Sequence, residues 1–78
     1  MKAMVRYENR NEGHNKFYEI TVEDVGLNYR VTAVYGKIDN ATPQGTKIYY
    51  EGSDASEAKR ICEEIKSKRA AHGYTKIY

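Results

Sequence analysis

The sequence predicts an α+β fold: an antiparallel meander sheet of four to five strands with one long helix packed on one face. Three observations carry this. Up to Ile38 the chain alternates apolar and polar residues, and a period of two sends successive side chains to opposite faces of a strand. Two polar, glycine-containing stretches divide that region into hairpin lengths. After Asp54 the apolar residues switch to spacings of three and four, the period of a helix.

Ala3, Val5 and Tyr7 share one face of the first strand, with Lys2, Arg6 and Glu8 on the other. Tyr18, Ile20 and Val22 mark the second strand; Tyr29, Val31 and Ala33 mark the third. The connections are Asn9 to Asn15, with Gly13, and Asp24 to Asn28, with Gly26, where glycine supplies positive φ at little steric cost. Asp39 to Gly45 collects the only proline and several turn formers in one loop, and Thr46 to Glu51 reads as a fourth strand. Asp54-Ala55-Ser56-Glu57 is a capping box in which Asp54 accepts from orphan amides and Glu57 reaches back. Ala58, Ile61, Cys62 and Ile65 then form the apolar stripe of the helix, and Gly73 suits its left-handed end. Tyr74 to Tyr78 completes the chain as a short last strand.

At 78 residues the chain is expected to be a single domain over residues 1–78. A unit of this size buries only about 60% of its unfolded surface, enough for one sheet and one helix layer and too little for a deep catalytic cleft. The lone Cys62 excludes an internal disulfide and fits a reducing, cytoplasmic setting. His14 and His72 are far apart in sequence, and no phosphate-binding glycine loop, nucleophile elbow or metal spacing occurs, so no cofactor, metal or small-molecule substrate is expected. Glu63 and Glu64 are adjacent, hence about 100° apart around a helix, and do not form an acid/base pair. No enzyme is expected. Nor is a membrane span, since no run approaches the ~20 apolar residues required. Net charge is only +2, but after Glu64 the chain carries Lys66, Lys68, Arg69 and Lys76 with no acidic side chain. Such a patch attracts phosphate; equally, cations suit the negative pole of a helix.

The stretch Tyr29-Arg30-Val31-Thr32-Ala33-Val34-Tyr35-Gly36-Lys37-Ile38 ends in an aromatic, a glycine and a cation. Around it lie Lys16-Phe17-Tyr18-Glu19, the loop pair Gln44-Gly45, the helix from Ala55 to Ala71 and the closing Gly73-Tyr74. In that order these elements resemble a WGR domain over about residues 15 to 78, with Tyr35-Gly36-Lys37 in place of the name-giving Trp-Gly-Arg. The resemblance implies the DNA-binding accessory domain of poly(ADP-ribose) polymerases and of bacterial regulator-like proteins, not a catalytic one. The departures are the absence of tryptophan, lysine for arginine at position 37, and Asp39-Asn40 where the family usually has glycine.

Six residues are candidates for nucleic-acid contact: Arg30, Tyr35, Gly36, Lys37, Gln44 and Lys47. Tyr35 stands where the family's tryptophan packs on a terminal nucleotide, and base stacking of this kind is worth about 1–3 kcal/mol. Strict alternation instead puts Tyr35 on the core face with Tyr29, Val31 and Ala33, and both readings stay open. Gly36 marks either a bulge that re-aims the ring or a close backbone approach. Lys37 offers a phosphate a point charge without arginine's fork, or is an ordinary solvated lysine. Gln44 and Lys47 flank Gly45 within reach of a phosphate backbone. Arg30 adds a phosphate contact if its face is exposed, or is a solvated sheet residue. The eight tyrosines are either a stacking platform or the large hydrophobes of a chain with one phenylalanine. Cys62 reads as core, and His14 and His72 as loop and helix-end residues. The expected function is therefore non-catalytic binding of nucleic acid, DNA ahead of RNA, at its backbone or its ends. The alternative is a protein-interaction module that has kept the fold and lost DNA binding.

Overall fold

A computed structural model describes residues 2–40 and 42–78. It contains strands β1 (Lys2–Asn9), β2 (Lys16–Val25), β3 (Asn28–Lys37) and β4 (Gly45–Gly52), helix α1 (Ala55–Ala71) and strand β5 (Thr75–Lys76). The sheet order is β4-β3-β2-β1-β5, antiparallel throughout. The first four strands form the expected meander, and the fifth returns past the helix to the far edge. Gly26, at φ 67, is the first residue of the two-residue β2–β3 turn, the position that demands positive φ.

Alternation places Val5, Tyr7, Tyr18, Ile20, Val31 and Ala33 on one face of the sheet, where they bury Ala58, Cys62 and Ile65 of α1. Ile20 and Val31, 1% and 0% exposed, anchor this core. Full burial of each such side chain contributes about 1.5–3 kcal/mol. The other face is uncovered and holds ion pairs, among them Arg6 Nη1–Glu19 at 2.5 Å and Arg6 Nε–Glu8 at 2.8 Å.

The helix starts at Asp54, whose carboxylate accepts from the Glu57 N–H at 3.1 Å. The reciprocal half of the expected capping box does not form. Glu57 is held by Arg60, and the Asp54 N–H donates to the Tyr50 hydroxyl at 3.1 Å instead. At the other end Gly73, at φ 87, donates to Ala70 O and Tyr74 N–H donates to Arg69 O at 3.0 Å. These two bonds make a Schellman motif. Asn9, 3% exposed, fastens it to the end of β1 through a bond from Nδ2 to His72 O.

Because β4 ends at the opposite end of the sheet from β1, α1 crosses the sheet from the β4 corner to the β1–β5 corner. Two corners of the same face are left open: the start of β4 and the start of β1. Ala3, expected on the buried face, is exposed because it lies at the second of these.

Strand β4 pairs Tyr50 with Val31 and Ile48 with Thr32, so Tyr49 is an extra residue, a bulge. Tyr49 and Tyr50 consequently both reach the helix side, where they pack on the core. Gly36, one of whose expected roles was a bulge, pairs regularly with Phe17.

Candidate nucleic-acid interface

The corner at the start of β4 is a cleft of about 350 Å³, and Tyr18, Tyr35, Tyr49 and Tyr74 line it. Tyr18 is the hub. Its ring stacks on Tyr35 at 5.6 Å and 14°, meets Tyr74 edge-on at 6.4 Å and 75°, and its hydroxyl shares a hydrogen bond with that of Tyr49. Burial, and then the Tyr49 hydroxyl, push the Tyr18 phenol above its ordinary pKa, so it stays protonated at physiological pH.

The cations come from three elements. Arg69 reaches from the last turn of α1, its Cζ 4.5 Å from the centroid of Tyr18 and 5.4 Å from that of Tyr74. The Schellman motif sets this geometry, since it folds Tyr74 back on the turn that carries Arg69. The Arg69 Nε is buried with no hydrogen-bond partner among the described residues. Lys47 in β4 places Nζ 4.6 Å from the ring centre of Tyr49, and Lys16 opens β2. Among the described residues no carboxylate lines the cleft. None of Lys16, Lys37, Lys47 and Arg69 enters the ion pairs formed among the described residues.

Four of the six candidate residues meet here: Tyr35, Gly36, Gln44 and Lys47. Tyr35 lies on the helix face and half-buried, so its ring is both packed against Tyr18 and part of the cleft wall. Two glycines make room for this. A Cβ on Gly45 would stand 2.6 Å from the Tyr35 hydroxyl oxygen, and one on Gly36 would stand 2.8 Å from Gln44 N. Gln44 N in turn donates to Tyr35 O at 2.9 Å, so the loop closes tightly over the signature. The close approach, not a bulge, is the role of Gly36. Lys37 is exposed at the end of β3, opposite Lys16 in register and outside the cleft lining. Arg30 is elsewhere, on the open face near the other end of β3, bonded to Glu51 at 2.6 Å and within 4.0 Å of Glu23.

Tyr18, Arg69, Tyr49, Tyr74, Lys16 and Phe17 join the site without having been candidates. Of the four cations after Glu64, the fold separates Arg69 from Lys66, which pairs with Glu63 at 3.2 Å. Cys62 is buried as expected, and burial raises its thiol pKa. Among the described residues no cluster of His, Cys, Asp and Glu could hold a metal. Nor is any helix among them long and apolar enough to cross a membrane.

The antiparallel sheet and the single covering helix define a small α+β domain, with a cleft of aromatic and cationic side chains at one corner. The chain belongs to the WGR domain family: the family model matches residues 1–78. The match thus includes β1, ahead of the stretch that carries the motif resemblance. WGR domains are non-catalytic accessory modules of the nucleic-acid-binding type in poly(ADP-ribose) polymerase-like proteins. No curated protein and no solved structure matches the chain significantly.

Proposed function

We propose that this WGR domain binds nucleic acid, DNA ahead of RNA, through the tyrosine-lined cleft and the loop above it, contacting backbone or ends without reading base sequence. One observation carries the reading: Lys16, Lys47 and Arg69 surround stacked tyrosines with no carboxylate among them. Unpaired cations attract phosphate and release its counterions, while aromatic faces accept a base or sugar of any sequence. Lys37, beside Lys16 across the strands, extends the same charge toward solvent. Arg30 is a weaker contributor, because two glutamates already compete for it. The 78 residues act in this reading as one unit, in a reducing, cytoplasmic setting that suits the free and buried Cys62.

The test is a fluorescence-anisotropy titration against blunt, nicked and intact duplexes at two salt concentrations, with single-stranded RNA alongside. Three phosphate contacts give a slope of about −3 in log K against log salt. Preference for ends or nicks together with that slope supports the proposal. Flat titrations at low salt refute it and favour a protein partner.

A further inference from the structure

Beyond the tyrosines, the last rung of the β2–β3 ladder sets Lys16 opposite Lys37. Alternation puts both on the helix face, two residues from the stacked Tyr18 and Tyr35. At the next position outward the Ile38 N–H donates to Asn15 O at 2.9 Å. Hydrogen-bonded and non-hydrogen-bonded pairs alternate along an antiparallel ladder, so Lys16 and Lys37 are a non-hydrogen-bonded pair, the closer of the two kinds. Two like charges thus face each other at the shortest cross-strand separation.

Like charges directly opposite destabilise a sheet, and here the protein supplies no counterion. Neither lysine enters an ion pair among the described residues. Asp39, the one carboxylate of the loop that follows Lys37, accepts instead from Asn15 Nδ2 at 2.5 Å. The carbonyls of His72 and Gly73 at the helix end would suit a cation, but Asn9 Nδ2 holds the first at 3.3 Å and Asn11 Nδ2 the second at 3.2 Å. On the other side of the tyrosine rung lies Arg69, over Tyr18, its Nε buried and without a partner among the described residues. Unsatisfied cationic groups therefore flank the tyrosines on both sides.

We propose that Lys16 and Lys37 act as one phosphate-binding unit, in which both ammonium groups hold the same phosphate of a nucleic-acid strand. This subsite extends the nucleic-acid reading of the tyrosine cleft, on which it rests. The phosphate next along the same strand enters the cleft toward Arg69 and Lys47, and the sugar between the two phosphates crosses the tyrosine rung. An anion between the lysines replaces one repulsion with two attractions, so the pair that weakens the free sheet strengthens the complex. Ammonium groups meet phosphate as point charges on flexible stems, and a phosphate contact carries no base information. Lys37, although outside the cleft lining, thus contributes as fully as Lys16.

The experiment repeats the salt-dependent DNA titrations on Lys16→Gln, Lys37→Gln and the double variant, exposed changes that leave the fold intact. Alongside, inorganic phosphate is titrated at constant ionic strength into the isotopically labelled parent and double variant. Each single change should weaken DNA binding and leave the salt slope unchanged, while the double variant loses about one unit of slope, the mark of one shared phosphate. Inorganic phosphate should shift the backbone amides of positions 16 and 37 in the parent and not in the double variant. A fall of about two units in the double variant means two separate phosphates, an unchanged slope means two ordinary solvated lysines, and either overturns the proposal. Flat DNA titrations of the parent refute the function proposed above, and the phosphate titration then decides the subsite by itself. Amides at 16 and 37 that stay still in the parent overturn it.

Discussion

The guanidinium of Arg69 lies 4.5 Å from the ring centre of Tyr18, joining the last turn of α1 to the middle of the tyrosine cluster. Tyr18 in turn stacks on Tyr35, so the helix end and the Tyr-Gly-Lys segment share one aromatic ring. This contact makes Arg69 both a packing residue and the innermost cation of the cleft.

Arg69→Gln should therefore have two effects. Loss of the cation–π contacts lowers stability by about 0.5–2 kcal/mol, read in urea denaturation. Loss of the charge weakens DNA binding and reduces the salt slope by about one. Lys68→Gln, one position away on an exposed site, should change neither quantity appreciably.

The two glycines of the site should respond differently to alanine. At Gly36 the new Cβ meets backbone, Gln44 N at 2.8 Å and Pro43 Cα at 3.3 Å, and the loop must move. A cost of about 1–3 kcal/mol in urea denaturation is expected. At Gly45 the three atoms nearest the new Cβ all belong to the Tyr35 side chain, which yields more readily than backbone. Gly45→Ala should thus cost less stability and still weaken DNA binding, because the ring leaves its place on the cleft wall.

The raised pKa of Tyr18 has a definite sign. Burial and the Tyr49 hydroxyl favour the protonated phenol in the folded state. The associated stability is complete below pH 10, the ordinary phenol value, and is lost as pH rises above it. An absorbance titration should show one tyrosine ionising only as the protein unfolds in alkali, and Tyr18→Phe should remove that late step.

Acid acts through the opposite face of the sheet. The hydrogen bond from Arg6 is the main cause holding the Glu8 carboxyl below its ordinary value, against the opposing effect of burial. That stabilisation is present at neutral pH and is lost as pH falls below about 4.5, through the depressed folded value. The urea midpoint of the parent should drop between pH 7 and pH 3 more steeply than that of Glu8→Gln.

Much of this architecture is legible in the sequence, because the first three strands of the meander keep their period and the two turns between them their glycines. The alternation that sets Tyr35 with Tyr29, Val31 and Ala33 describes the face it occupies. That its ring also borders a cleft depends on where the helix stops, which no local pattern reveals. Arg69 was hidden for the same reason: at a helix end any cation suits the dipole, and only the diagonal path of α1 brings this one to Tyr18. Asn9 offered no signal, since its partner, His72 O, is distant in sequence. The bulge at Tyr49 did leave a trace. Ile48-Tyr49-Tyr50 sets three large apolar residues in a row, which a strictly alternating strand does not accommodate, and the extra residue resolves the conflict by turning both tyrosines to one side. Glu57 has the spacing of a full capping box, yet Arg60, one turn on, holds it instead.

The diagonal course of the helix also bears on how such a chain can diverge. It divides one face of the sheet into two hollows whose linings share no residue, one aromatic and cationic, the other mainly apolar. Substitutions that refashion one hollow leave the other untouched, provided the core beneath the helix is kept. A lineage of such domains is thereby free to change the lining of either hollow on its own, with the fold as the shared inheritance.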